Sequence, residues 1–405
     1  MRVLLLNQYF WPDEAATAQL ATDLCEDLVA GGAEVTVVSS AGAYVPEDGA
    51  PRPPLRERWR GVDILRVPAT ALGRASIPRR LVDYASFYAG AAAQALRAGR
   101  HDVVIVLTTP PLLASLGVLL RLSRGERLVC WVQDVYPEIG VAFGVFPQEG
   151  LLTSALRLAA RTIYQRADAV VALGEVMAER LVDAGAPRDR VHVIHNWADG
   201  RAIAPVPRAQ NAFAREQRLG DRFVVGYSGN FGRGHDLDAI LQAARLLRDR
   251  RKLLWLFIGE GPRRDEVAAA IARDRLNARL LPYQPRERLR ESLSAPDVHL
   301  VTMRAGLEGL IVPSKLYGCL AAGRGVVFVG PEHTEAAQIL ADERCGVTVP
   351  PADPAALAAA VSDLARRPGA AVAMGRRGRA AFERRFDRPL ATAAWARVCR
   401  AVAGL

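Results

Sequence analysis

The chain has 405 residues, half of them hydrophobic, and a formal net charge of +10. That length calls for two domains with large cores, at about 100–200 residues each or slightly more. No apolar run approaches the ~18 residues of a membrane span. The start, MRVLLLNQYF, has too short an apolar stretch for a signal peptide, and the positive balance suits partners that carry phosphate.

In chain order, Arg2–Leu6 reads as a short buried strand. Residues 15–31 follow as a helix, with Ala18, Leu20, Ala21, Leu24 and Leu28 on the helical period and a stop at Gly31-Gly32. Glu34–Val38 is the next strand. Strand, helix and strand with short joins make a βαβ unit and so a parallel sheet. The loop Asn7–Thr17 then sits at the carboxyl end of the first strand, where open α/β sheets bind ligands. It lacks the Gly-x-Gly-x-x-Gly fingerprint of a dinucleotide site.

Residues 43–60, rich in Pro and Arg, read as loop, and Val62–Val67 as strand. Residues 73–99 combine Arg74, Arg79 and Arg80 with Leu81, Tyr84, Phe87 and Tyr88. That pattern fits a basic amphipathic helix on an anionic membrane surface, or an ordinary helix packed on the sheet. Strand Asp102–Leu107, helix 111–122 and strand Arg127–Val132 continue the alternation. The last of these delivers Gln133-Asp134-Val135-Tyr136-Pro137-Glu138. Asp134 and Glu138 are candidates for polar contacts to a substrate; the bland reading is a loop held by an Asx turn and Pro137. Helix 150–166, strand 168–173, helix 175–184 and strand Val191–Ile194 complete this half.

His195 to Asp221 breaks the pattern and marks the domain boundary. Strand 222–228 then enters Ser228-Gly229-Asn230-Phe231-Gly232-Arg233-Gly234-His235, ahead of helix 236–250. A Gly-rich loop with a cation before a helix is a candidate phosphate seat. Strand 253–258 leads into Gly259-Glu260-Gly261-Pro262. Helix 263–273, strand 278–281, Pro282-Tyr283-Gln284-Pro285, helix 286–294 and strand 297–302 follow. Arg304–Gly330 is a second seat: a loop, a turn at Pro313, and a helix whose first turn carries Ser314 and Lys315, before the buried run Val326–Val329. The chain has only two lysines, Lys252 and Lys315, and otherwise uses arginine. Thr334 caps a helix bearing Glu335, and 353–367, 370–386 and 389–403 are helices.

The five cysteines are scattered without metal or redox spacing, so free buried thiols in a reducing compartment are expected. The arginines are dispersed and no aromatics interleave with them, which disfavours nucleic acid.

Taken together, NQYFWPDEAATAQLATDL, WVQDVYPE, VIHNW, YSGNFGRGHDLD, FIGEGP, LPYQPRERLRESLSAPDVHLV and EGLIVPSKLYGCLAAGR resemble the GT-B glycosyltransferases of family 4. The likeness is to the branch that builds O-antigen and capsule-type repeats, similar to the L-fucosamine transferases, and covers nearly the whole chain. It implies two doubly wound Rossmann-like parallel-sheet domains facing across a cleft. Residues 1–197 would bind the acceptor, and residues 205–387 the nucleotide sugar. The last helix, about 388–405, would pack back on the first domain.

The resemblance further implies a retaining, metal-independent transfer without a cofactor, from a UDP-linked sugar to a lipid-linked acceptor in surface polysaccharide synthesis. The enzyme would be cytoplasmic, at the inner face of a membrane. Arg233 and Lys315 would neutralise the diphosphate with Ser314, and Asn230 and His235 would stand in the same loop. Glu308, Gly309 and Leu310 would face the sugar, and Gly259, Glu260, Tyr283 and Gln284 would hold the base. Asp134 would lie near the reacting face, with Glu138, and Ala16 and Thr17 toward the diphosphate. Many members carry a second Glu that binds the ribose; here that position is Gly318. A nucleotide-sugar 2-epimerase of the same fold and a catalytically silent binding scaffold are the alternatives.

Overall fold

The computed structural model describes residues 1–42, 53–70, 77–232 and 234–405, apart from the side chains of residues 77 and 78. Two compact units emerge. The first holds Met1–His195, Gly309–Ile311 and Ala391–Leu405; the second holds Asn196–Glu308 and Val312–Leu390.

In the first unit, β1 (Arg2–Leu6), α1 (Ala16–Ala30), β2 (Glu34–Ser40), β3 (Arg56–Trp59), β4 (Val62–Val67), α2 (Ile77–Arg97), β5 (Val103–Leu107), α3 (Ala114–Arg124), β6 (Arg127–Trp131), α4 (Glu138–Ala142), α5 (Leu151–Arg166), β7 (Ala169–Ala172), α6 (Glu175–Asp183) and β8 (Val191–Val193) follow one another. They build an eight-stranded sheet in the order β3-β4-β2-β1-β5-β6-β7-β8. All pairs are parallel except β3 with β4. Every residue of β5 is buried, and of β1 all but Arg2. Helices cover both faces of such a sheet, which is why its strands read as unbroken apolar runs.

The second unit runs through α7 (Ala212–Glu216), β9 (Phe223–Ser228), α8 (Leu237–Leu246), β10 (Leu253–Ile258), α9 (Arg264–Arg273), β11 (Ala278–Leu281), α10 (Leu289–Ser294), β12 (Val298–Thr302), α11 (Lys315–Ala321), β13 (Gly325–Val329), α12 (Glu335–Asp342), β14 (Gly346–Val349), α13 (Pro354–Arg366) and α14 (Pro368–Arg385). Its six strands are all parallel, in the order β11-β10-β9-β12-β13-β14. Tyr227, Trp255, Phe257, Leu300, Val327 and Leu357 lie in one buried cluster with α8 and α13.

The final helix, α15 (Arg388–Ala403), belongs to the first unit from Ala391 onward. Its Trp395 ring lies 4.6 Å from that of Trp131 at the end of β6, and Thr392 donates to Asp27 of α1. Among the described residues no helix is long and apolar enough to cross a membrane. All five cysteines are buried free thiols.

The structure corrects the reading of residues 43–60 as loop. Residues 43–52 lie outside the described residues, but Arg56–Trp59 pairs antiparallel at the sheet edge. It does so because alternate residues find inward partners. Trp59 stacks on Trp11 at 4.4 Å, and Glu57 meets the buried Arg66 at 2.8 Å. Pro and Arg density hid a strand held by one ring and one ion pair. The helix expected over 73–99 runs Ile77–Arg97; residues 71–76, Arg74 among them, lie outside the described residues. The short elements α4, α7 and β14 gave no periodic signal.

Trp395 is fully buried, so Trp395→Ala should leave a cavity and cost the first unit about 3–5 kcal/mol. Urea unfolding would measure this; a loss below about 1 kcal/mol would mean that α15 is not part of that core.

Candidate active site

In an open parallel sheet ligands gather beyond the carboxyl ends of the strands, where the strand order reverses. In the second unit that point lies between β9 and β12. The loop after β9 is tied to the loop after β12: His235 Nδ1 lies 3.0 Å from the Thr302 carbonyl, and Arg304 N–H donates to Gly234 at 3.1 Å. The His235 ring faces a carbonyl, so Nδ1 carries the proton. Burial, then the neighbouring Lys315, hold the ring neutral, with its pKa down at about 3.

Lys315 opens α11, directly after the Ser314 N-cap, whose side chain makes no cap bond. Its Nζ donates to the Tyr227 hydroxyl at 2.8 Å and stands 3.9 Å from the centre of that ring. The Tyr227 O–H in turn donates to the Asn230 carbonyl at 2.8 Å. Thus a half-buried ammonium is held by a cation–π contact and one neutral acceptor. Among the described residues it has no carboxylate partner. Burial lowers its pKa to about 7, since desolvation disfavours the charged form. Ser314, Lys315, Asn230 and His235 are therefore gathered at one switch point. Arg233 lies outside the described residues.

The neighbouring loops are built of backbone. Gly259 has φ 148°, and a Cβ there would stand 2.0 Å from the Gly229 carbonyl, so only glycine lets the two loops touch. Glu260 pairs with Arg264 at 3.1 Å, while its carbonyl accepts from Phe231 N–H. Tyr283 is exposed at the end of β11, and Gln284 Nε2 donates to the Pro282 carbonyl. At Gly318 a Cβ would meet only Leu293 Cδ1, at 3.4 Å. Neither space nor backbone forbids a side chain there.

In the first unit the corresponding reversal lies between β1 and β5. Gln8 N–H donates to the Thr109 carbonyl across it. Thr108 Oγ1, at the end of β5, accepts from the backbone N–H of both Gln133 and Asp134 at 3.1 Å. Burial alone raises the Asp134 carboxyl to about 6. Val135 N–H donates to Leu310, and Asp134 bridges Ile311, so Gly309–Ile311 fold with this unit. Gly309, at φ 70°, leaves no room for a Cβ against Arg180 and Val176. Glu308, half-buried, is counted with the second unit. Ala16 and Thr17 open α1, where the Ala15 N-cap has no side-chain cap and its N–H donates to Asp13. Glu138 is engaged by Arg157, at 2.8 and 3.0 Å.

Sequence reasoning missed Tyr227 and Thr108. Both stand at strand ends, the placement that singled out Asp134, but neither is ionised at neutral pH. Among the described residues no group of three or more His, Cys, Asp or Glu is placed to hold a metal ion.

Two family profiles match, a glycosyl transferase 4-like domain over residues 16–197 and glycosyl transferases group 1 over residues 222–367. A probable glycosyltransferase of Pseudomonas aeruginosa, WbjE, is 34% identical over 273 residues, 66% of this chain and 67% of its own. A putative colanic acid biosynthesis glycosyl transferase of Escherichia coli, WcaI, is 25% identical over 361 residues, 84% of this chain and 86% of its own. Among solved structures, sucrose-phosphate synthase from Thermosynechococcus elongatus superposes with a TM-score of 0.80 at 17% identity, covering 100% of this chain and 99% of that one. Anabaena HepE in complex with UDP-glucose gives 0.72 at 14%, covering 100% of both. These two show the fold, GT-B. On the matched domains and the 34% identity, the chain belongs to the group 1 glycosyltransferases.

Proposed function

We propose that this enzyme transfers a sugar, with retention, from a UDP-linked donor to a lipid-linked acceptor in cell-surface polysaccharide synthesis, at the inner face of a membrane. The observation that carries the donor half is Lys315: a half-buried ammonium that has no carboxylate partner among the described residues, at a switch point floored by glycine backbone. Such a group waits for an anion. The HepE complex with UDP-glucose and the polysaccharide role in the name of WcaI support the substrate classes.

In this reading the bond from the anomeric carbon to the β-phosphate oxygen breaks, and the acceptor oxygen bonds to that carbon on the same face. Lys315, with Arg233 and the Ser314 hydroxyl, takes up the charge of the departing diphosphate in place of a metal ion. Asn230 and His235 line that loop. Gly259, Glu260, Tyr283 and Gln284 hold the base, and Glu308, Gly309 and Leu310 serve the sugar. In the first unit Asp134 receives the proton of the acceptor hydroxyl, and Ala16 and Thr17, at the start of α1, belong to the acceptor side. Because Arg157 already occupies Glu138, that residue shapes the acceptor loop.

Lys315→Ala should cost about 2–4 kcal/mol of transition-state stabilisation, read as kcat/KM in the presence of EDTA. The ammonium must be charged to hold a diphosphate, and its free pKa is about 7. UDP affinity should therefore fall as pH rises from 7 to 9, by at most about tenfold per unit, with proton uptake seen calorimetrically. In Lys315→Arg the slope should vanish. A pH-independent Kd in the wild type would remove Lys315 from the seat.

Asp134 has the opposite sign. Its folded pKa, about 6, exceeds the ordinary 3.8, so the folded state binds the extra proton. Stability is full below about pH 4 and declines as pH rises through 6. Asp134→Asn should thus raise the melting temperature at pH 7, leave it unchanged at pH 4, and abolish the rise of activity through pH 6. Equal melting temperatures at pH 7 would refute the buried-charge assignment.

Gly318→Ala should stabilise the second unit by about 0.5–1 kcal/mol without changing UDP affinity. Gly318→Glu should tighten UDP if this helix face meets the ribose; unchanged affinity would place the ribose elsewhere.

A further inference from the structure

The first unit carries a surface that the donor and acceptor groups do not use. Helices α2, α3 and α5 follow β4, β5 and β6, and each connection runs the same way along the sheet. Right-handed crossovers in one direction put all three on one face, with their first turns at the carboxyl edge of the strands. Contacts agree: α3 touches α5, and Tyr88 of α2 donates to the Pro111 carbonyl just ahead of α3.

The outward side of this layer is apolar. Leu151 is 94% exposed, Leu158 66%, Leu122 65% and Leu81 60%, and Val82 and Leu119 are also exposed. On α5 the exposed stripe is Leu151, Ala155, Leu158 and Thr162, at helical spacing. The charged side chains of these helices are mainly cationic. Three arginines stand in α2, two in α3 and three in α5, against the one carboxylate Asp83. Arg121 and Arg157 are neutralised by Asp168 and Glu138, but Arg79, Arg80, Arg97, Arg161 and Arg166 are exposed.

We propose that the outward face of α2, α3 and α5 is the docking surface for an anionic phospholipid bilayer. The leucines enter the acyl boundary and the arginines meet the lipid phosphates. Amphipathic helices lie in the interface in this way, and each basic residue near an anionic leaflet adds attraction. A second copy of the chain is the poorer occupant, since pairing this face with itself sets arginines against arginines. The proposal builds on the reading of a lipid-linked acceptor: Asp134 leaves β6 at the same carboxyl edge where α2 and α5 begin.

The test is co-sedimentation of the full chain with phosphatidylcholine vesicles, with and without phosphatidylglycerol. The wild type should partition onto the vesicles containing phosphatidylglycerol. Arg79→Glu and Arg161→Glu should each lower partitioning by about fivefold or more, and Leu151→Glu with Leu158→Glu should abolish it. All of these positions are exposed, and the variants should keep the wild-type thermal shift with UDP. The surface assignment falls if the wild type does not partition, if the leucine pair leaves partitioning unchanged, or if the wild type is instead a dimer that the leucine pair dissociates. Vesicle binding without any UDP shift would uphold the surface and overturn the donor site.

Discussion

Strands buried on both faces leave a protein almost nowhere to put a charge. Every residue of β5, β10, β12 and β13 is buried, and helices close both sides of such sheets. Polar chemistry is pushed to the strand ends, and there it is still only half in water. Asp134 and Lys315 show the result. One is pushed up to about 6 and the other pulled down to about 7, and burial is the leading cause of both. Among the described residues neither has a local ion pair to offset it. A group left in that state by the fold is suited to a partner that arrives from solution, a proton for the acid and an anion for the ammonium.

The loops that meet at the switch point of the second unit are built largely of main chain. Gly259 rests against the Gly229 carbonyl, so two loops present main chain where other residues would present bulk. Tyr227 supplies the remaining restraint. Its ring and hydroxyl hold Lys315 in place while its own O–H is directed to Asn230. A carboxylate in that role would neutralise the ammonium; a phenol does not. Thr108 performs the analogous service in the first unit by fixing the backbone of Asp134. Both holders are neutral, which leaves the charge of the residue they position available.

The alternation of strand and helix was legible along the chain because parallel strands are continuous apolar runs and their helices keep a 3.6-residue period. The family motifs carried the two domains and most of the candidate residues. Legibility failed where stability came from a few distant contacts. Strand Arg56–Trp59 exists through Trp11 and Arg66, and a Pro- and Arg-rich composition gave no hint of it. Glu138, set beside Asp134 by the motif, is occupied by Arg157 from a helix thirteen residues further on.

By itself the sequence determined the fold class and picked out Lys315, one of only two lysines, at the head of a helix, since each depends on local pattern or on a motif of fixed spacing. Only the tertiary structure decided what surrounds that lysine. Tyr227 and Lys315 lie 88 residues apart, and no periodicity links them. The same holds for the outward leucines and arginines of α2, α3 and α5. In the sequence only residues 73–99 suggest a basic amphipathic helix for an anionic membrane, and the other two are plain helices; sheet order and crossover hand assemble them into one face. Stretch Arg304–Gly330 reads as a phosphate seat in the string of residues, but the surroundings of its Lys315 come from β9 and its loop, because desolvation and contact are properties of three-dimensional neighbours.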